Sequence, residues 1–275
     1  MKTGRLAPSE GINKSLLRTY NKKNIFDDPL RILRCFRFVS ELNFDIDPYL
    51  FSLIKHHSDL LAHVSVERIQ DEFRKIIRGK YALKSLLLVS ETHLFKWIQK
   101  YQINADFLIN QLNLTHFSQY EIQKFVHISY LIETLDDHSI KKLKFSNSEI
   151  AEAFTLRKWK HEIIKKPIVQ FTESERFLLH KELEKILPAF IIYLPEKDKL
   201  EWLNRWRDQG DRLFHPTNLL NGDLIKKHIK IKDGPLLGRL LLFLSKELAF
   251  ERIQNFDEAI YKAKGWFQQN APKCD

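Results

Sequence analysis

Asp27-Asp28-Pro29-Leu30-Arg31-Ile32-Leu33-Arg34-Cys35-Phe36-Arg37-Phe38 is the stretch on which the reading of this chain rests. Pro29 suits a first helical position, because its missing N–H would be an orphan donor there, and that predicts Asp28 as the N-cap. Leu30, Leu33 and Phe36 then fall on one inward face. Asp27 and Asp28 precede Arg31 by four and three residues, so the three side chains converge at one end of the helix. Arg34 and Arg37 extend the threefold spacing of Arg31 into a basic flank.

An arginine beside a carboxylate places donors next to an acceptor, the pattern that a nucleobase edge satisfies. Cytosine and adenine match it, since each presents an exocyclic amine next to a ring nitrogen that accepts. Uracil and guanine carry a carbonyl where that amine should be. Asp27, Asp28 and Arg31 are therefore candidates for selecting C and A. The same residues also fit a plainer reading, a capped helix start with surface ion pairs.

Around this stretch the chain reads as helical. Its 275 residues are 44% hydrophobic and 12% aromatic, enough for a sizeable core, and only 8 Gly and 9 Pro leave few tight turns. We expect an all-α fold of many helices joined by short loops. Two cysteines, Cys35 and Cys274, supply neither a disulfide framework nor a metal spacing, which points to a reducing cytoplasm. No apolar run is long enough to span a membrane, and the N-terminus lacks a signal-peptide core, so no membrane partner is expected.

The net charge of +10 is unevenly placed. Residues 1–100 carry 18 Lys+Arg against 11 Asp+Glu, residues 101–220 carry 17 against 17, and residues 221–275 carry 10 against 7. Basic ends around a neutral middle suit a protein that grips a polyanion at two places.

Three runs extend the pattern: Asp27 to Phe38, Asn43-Phe44-Asp45-Ile46, and Val64-Ser65-Val66-Glu67-Arg68-Ile69-Gln70-Asp71-Glu72-Phe73-Arg74-Lys75. In order and spacing they resemble the neck of the class II tRNA nucleotidyltransferases, the CCA-adding enzymes, and bacterial poly(A) polymerases share much of the pattern. The Ser-Val-Glu-Arg-Ile run is closer to the CCA-adding form. The resemblance implies that Asp28 and Arg31 template incoming CTP and ATP, with Asp27, where the family often has Glu, orienting Arg31. It also implies a supporting role for Arg34, Arg37, Glu67 and Arg68, the last two buttressing Asp27 or Arg31. Ordinary intrahelical ion pairs remain open for Glu67 and Arg68.

The resemblance sharpens the fold to an elongated multi-helix array: a junction remnant (residues 1–26), neck (27–100), helical body (101–211) and helical tail (212–275). Nucleotidyl transfer in that superfamily uses a Gly-Ser turn followed by a strand carrying Asp-x-Asp, whose carboxylates hold two Mg²⁺ ions. None of the 8 glycines is followed by Ser, and the only Asp-x-Asp is Asp45-Ile46-Asp47. Asp47 precedes Pro48 and reads as a helix cap. We therefore expect no catalytic or metal-ligating residue here and no nucleotide addition by this chain alone. A head domain, on a separate chain or otherwise supplied, would bring Mg²⁺.

Ser65 is the expected N-cap of a helix burying Val66, Ile69, Phe73, Ile76 and Ile77. Trp97, Phe107, Phe117, Tyr120 and Phe125 are expected in the core. His56-His57 and Asp136-Asp137-His138 lack ligand spacing and read as solvated surface. Lys141, Lys142 and Lys144 precede a Ser146/Glu149 capping box and are candidates for RNA contact, or a solvated charge run. Pro167, Pro188 and Pro195 mark boundaries, and Trp202 and Trp206 make an apolar stripe.

Near the C-terminus, Asn221-Gly222-Asp223-Leu224 and Gly234-Pro235-Leu236-Leu237-Gly238-Arg239 resemble the family's tail. Lys226, Lys227, Lys230, Lys232 and Arg239 are candidate tRNA contacts there. Gly238 permits close approach, either by a sugar-phosphate backbone or by a crossing helix. The combined reading is the tRNA-binding, nucleotide-selecting portion of a CCA-adding enzyme. The corresponding part of a poly(A) polymerase, or a stand-alone RNA-binding protein, are the alternatives.

Overall fold

A computed structural model describes residues 15–19, 21–98 and 114–270. Helices dominate, and the described residues contain one pair of two-residue strands, β1 (Leu16–Leu17) parallel to β2 (Asp45–Ile46). The chain divides into two compact units, Met1–Lys160 with Pro188–Lys199, and His161–Leu187 with Leu200–Asp275.

In the first unit, α1 (Lys23–Asp27), α2 (Arg31–Leu42), α3 (Pro48–His56), α4 (Val66–Arg78) and α5 (Ala82–Glu91) follow in order. Apolar residues recur every three or four positions in α2 and α4. As a result Ile32, Leu33, Phe36 and Val39 are buried together with Ile69, Phe73, Ile76 and Ile77. Each such side chain contributes about 1.5–3 kcal/mol on burial, so this apolar seam, more than helix propensity, holds the unit together. Asp47 caps α3, its Oδ1 accepting from the Tyr49 N–H at 3.0 Å, as its place before Pro48 predicted. Ser65 stands at the N-cap of α4 but makes no side-chain capping bond.

The start of α2 differs from expectation. Leu30, not Asp28, is the residue before the first helical position, and Asp28 is extended (φ −142°, ψ 88°). Pro29 and Leu30 form a turn closed by Arg31 N–H donating to Asp28 O at 3.0 Å. The Asp28 side chain is thereby released from capping and turned toward arginines.

Further along are α6 (Gln119–Glu121), a π-helical turn (Ile122–Val126), α7 (His127–Thr134), α8 (Asp137–Lys142) and α9 (Asn147–Lys165). The Ser146/Glu149 capping box is present at the start of α9. Asp136 caps α8 and Asp137 pairs with Arg157, which also donates to Leu135 O at 2.8 Å. Their roles are thus structural and not merely solvated. Phe117 is buried, but Tyr120 is 60% exposed, with Lys124 beside its hydroxyl. Phe107 lies outside the described residues.

The chain continues with α10 (Glu173–Leu183), α11 (Leu187–Ile191), α12 (Glu196–Arg207), α13 (Gly222–His228), α14 (Pro235–Ala249) and α15 (Phe256–Asn270). Pro167 and Pro195 stand just before helical segments, and Pro188 in the first turn of one. In the second unit, Leu220, Ile225, Leu240, Leu244, Ile253 and Ala263 lie in one core cluster. His180 stacks on Trp202 with ring centroids 5.0 Å apart and lies 4.1 Å from the Phe214 ring, and burial pushes the His180 imidazole down to about 3. Asn221 begins a helix and not a turn, accepting from the Leu224 N–H at 2.8 Å. Pro235 opens α14 as expected. Among the described residues, nothing lies within 4 Å of where a Gly238 Cβ would stand, so no helix crosses there.

Gly79 shows the opposite situation. A Cβ there would stand 1.9 Å from Ser40 Oγ and 2.7 Å from the Ser40 carbonyl oxygen. Tyr81 N–H donates to that oxygen at 2.7 Å, and Ser40 Oγ donates to Ile76 O at 2.6 Å. Gly79→Ala is expected to push α2 away from the α4–α5 turn and to cost at least about 1–3 kcal/mol, as overpacking does. Urea denaturation of the full chain measures it, and an unchanged midpoint contradicts the close approach.

Candidate functional site

The α2 start and the first turns of α4 place four charged groups together. Arg34 Nη1 lies 3.3 Å from Asp28 Oδ2, Arg68 Nη2 lies 3.5 Å from Asp28 Oδ1, and Arg31 Nε stands 3.9 Å from Oδ2. Asp28 and Arg31 side chains are each 26% exposed. An acceptor and a donor thus stand side by side at one end of α2, open to solvent. These separations are long for charge-assisted hydrogen bonds, so an incoming donor has carboxylate lone pairs to use. Asp27 ends α1 and is exposed, with no ion pair among the described residues. The acid next to Arg31 is therefore Asp28.

The remaining predicted neck residues separate. Arg68 reaches from α4 to Asp28, whereas Glu67 takes Lys144 Nζ at 2.8 Å. Arg37 turns inward, its Nη1 3.2 Å from the buried Glu72 carboxylate. The flank of Arg31, Arg34 and Arg37 is thus partly paired: Arg31, Arg34 and Arg68 share the single Asp28 carboxylate, and Arg37 lies between Glu41 and Glu72.

The predicted RNA contacts also divide. Lys144 is paired with Glu67; Lys141 lies 5.0 Å above the Phe154 ring and Lys142 5.9 Å from that of Trp97. Lys226 is held by Asp223 and Asp233, each at 3.0 Å. Lys227, Lys230, Lys232 and Arg239 are exposed, and none makes an ion pair among the described residues.

Comparison with known proteins bears on this arrangement. Residues 43–105 match the family model described as the probable RNA and SrmB-binding site of polymerase A. A CCA-adding enzyme of Bacillus cereus is 33% identical over 88% of this chain and 61% of its own length. The CC-adding tRNA nucleotidyltransferase of Synechocystis is 26% identical over 92% of this chain and 67% of its own. The Thermotoga maritima CCA-adding enzyme complexed with tRNA superposes with a TM-score of 0.64 at 17% identity, covering 92% of this chain and 64% of that one. The chain is a class II CCA-adding nucleotidyltransferase-like region. It spans about three fifths of the Bacillus cereus enzyme.

Within this CCA-adding-like region, Asp45-Ile46-Asp47 does not fit a Mg²⁺ pair. Asp45 accepts from Lys84 Nζ at 2.7 Å, and Asp47 is committed to capping α3. Among the described residues no three His, Cys, Asp or Glu side chains converge as a metal site. Burial pushes the Cys35 thiol up to about 12, which removes it as a nucleophile.

Sequence reasoning treated Glu149 as a cap only. Arg74 grips it from α4 through Nε and Nη2, both at 3.0 Å, and Arg78 Nη2 lies at 3.4 Å. The signal available was two arginines one turn apart, but their partner lies 75 residues away. Burial alone would raise the Glu149 carboxyl; hydrogen bonds from Arg74 and Ser146 outweigh it and bring it down to about 2. Nearby, burial lowers the His127 imidazole to about 4.

Both groups have folded-state pKa values below their unfolded ones, so the unfolded chain binds protons first on acidification. His127 therefore costs stability as pH falls from about 6.5 toward 4, and Glu149 as it falls from about 4.5 toward 2. Glu149→Gln is expected to lower stability at neutral pH by about 3 kcal/mol and to flatten the lower limb. Denaturation midpoints from pH 7 to pH 3 check both.

Proposed function

We propose that this chain is the base-selecting and tRNA-binding portion of a tRNA 3′-end CCA-adding nucleotidyltransferase, acting in the cytoplasm on CTP and ATP with Mg²⁺ held by a head domain. The observation that carries this is the Asp28–Arg31 pair, a carboxylate and a guanidinium side by side and partly open at one end of a buried helix. Asp28 accepts from the exocyclic amine of C or A, and Arg31 donates to the ring nitrogen beside it. Arg34 and Arg68 also contact the carboxylate, Arg34 at Oδ2 and Arg68 at Oδ1, and Asp27 helps orient Arg31. Residues 27–100 serve as the neck and 212–275 as the tail.

The test of base selection uses a compatible head domain, fused or in trans. Arg31→Ala leaves the base edge partly unread. A hydrogen bond to a charged partner is worth roughly 1.5–3 kcal/mol, so preference for CTP and ATP over UTP and GTP is expected to fall by about one to two orders of magnitude. Asp28→Ala should do the same without removing positive charge, which separates base reading from phosphate attraction. Unchanged selectivity in both variants returns these residues to the role of an ion-paired helix start.

The tail is tested by binding. Affinity for tRNA should drop steeply with salt, because each neutralised phosphate releases counterions. Lys227→Glu with Arg239→Glu is expected to weaken tRNA binding about tenfold or more at moderate salt. The family model that matches residues 43–105 is described as a binding site of polymerase A, which supports the poly(A) polymerase reading as the second choice. A single-stranded A-tract that competes as well as folded tRNA would decide for it.

A further inference from the structure

The second unit contains a polar cleft of about 870 Å³ that none of the motifs above uses. It lies where the C-terminal ends of α12 and α14 meet the side of α10, and Arg176, Arg205 and Arg212 line it with Asp208, Asp211 and Glu251. The charges balance in number, but they are not equally spent. Arg205 Nε is held by Asp211 at 2.7 Å and its guanidinium lies 4.4 Å above the Phe214 ring, so it forms a wall. Arg212 donates to the Ile253 carbonyl at 3.2 Å. It has no ion pair among the described residues, which leaves further guanidinium donors available.

Arg176 is the telling side chain. Its guanidinium rests 5.5 Å from the Phe250 ring centre, and its buried Nε has no hydrogen-bond partner. Glu173, one turn earlier, is already taken by Arg252. The Arg176 guanidinium makes no ion pair among the described residues, so its terminal amino groups, not the enclosed Nε, remain available to a ligand. On the acidic side, Asp208 accepts from the Gly210 N–H at 2.8 Å, and Glu251 is exposed on a left-handed turn (φ 58°). Among the described residues neither acid has a cationic partner.

We propose that this cleft binds the ribose-phosphate backbone of an RNA strand. Arg176 and Arg212 take one phosphodiester, and Asp208 or Glu251 accepts from a neighbouring 2′-hydroxyl. A small dianion would meet three carboxylates, whereas a diester carries one charge and brings hydroxyl donors that match them. The 2′-hydroxyl is the group that distinguishes RNA from DNA at such a site. The inference rests on the reading of this chain as an RNA binder and adds a contact away from the lysines of that reading.

The experiment is fluorescence anisotropy of labelled tRNA with the full chain, comparing wild type, Arg176→Gln, Arg212→Gln and Asp208→Asn, with thermal melts to confirm folding. Each arginine variant is expected to weaken binding about fivefold to tenfold and to reduce the salt slope by about one contact. Asp208→Asn should weaken binding to an RNA hairpin and leave binding to its DNA counterpart unchanged. Should Arg176→Gln melt early, Arg176→Lys keeps charge and bulk but loses the fork, and is expected to be impaired in the same direction. Arginine variants that bind like wild type while Lys227→Glu does not would overturn the cleft and leave the tail reading standing. Wild type that binds no RNA overturns the RNA-binding reading itself. Inorganic phosphate that abolishes the difference between wild type and Arg176→Gln at low millimolar concentration would make this a free-anion site and overturn the RNA assignment.

Discussion

The close approach of α2 to the α4–α5 turn is the constraint on which the first unit depends. It exists because Gly79 offers no Cβ where Ser40 stands, and because the Ser40 carbonyl and hydroxyl are both used across the contact. That contact is set between the C-terminal ends of α2 and α4, so the same rigid pairing fixes how their N-terminal ends face each other. There Arg68 reaches Asp28. A site built from one turn of each helix inherits its geometry from a glycine at the opposite end of both.

The charged groups on this scaffold fall into two kinds. The Arg74–Glu149 pair is short and forked, Glu149 is buried, and its carboxyl is held near 2. Breaking such a pair leaves a charge stranded in a poor solvent, so it behaves as a fixed joint between α4 and α9. Asp28 is held by separations of 3.3–3.9 Å and is a quarter exposed. Pairs of that sort contribute little and exchange readily with water or a ligand. The fixed joint and one arm of the adjustable cluster, Arg68, lie on the same helix, α4, which sets exchangeable polar groups at the rim of a firm frame.

Much of this was legible in the sequence, for identifiable reasons. The apolar spacing of α2 and α4 and the proline-marked starts of α3 and α14 depend on local geometry, and local geometry is what periodicity and capping report. The convergence of Asp28 and Arg31 followed from helical spacing, although Asp28 as N-cap did not hold, because the Pro29–Leu30 turn pulls the helix start to Arg31. The long-range pairings of Glu67 and Glu149 and the setting of Arg176 were missed for a different reason. Their partners lie far away in sequence or are backbone and ring atoms, and no pattern of spacing encodes those. Gly79 was not singled out, since a glycine after a helix ordinarily serves as a stop signal and only the packed structure shows what fills the space above it.

The same distinction governs the positive charge. A lysine paired with a carboxylate has already exchanged solvent for a partner, and binding a phosphate must first undo that exchange. Lys144 and Lys226 are in this position, and Lys141 and Lys142 lie over aromatic rings. Counterion release needs a cation whose charge is not already compensated. Lys227, Lys230, Lys232 and Arg239 meet that condition, and all fall within the short stretch that spans α13 and the start of α14. Composition counts every lysine equally; the attraction for a polyanion comes from the subset that folding leaves uncompensated.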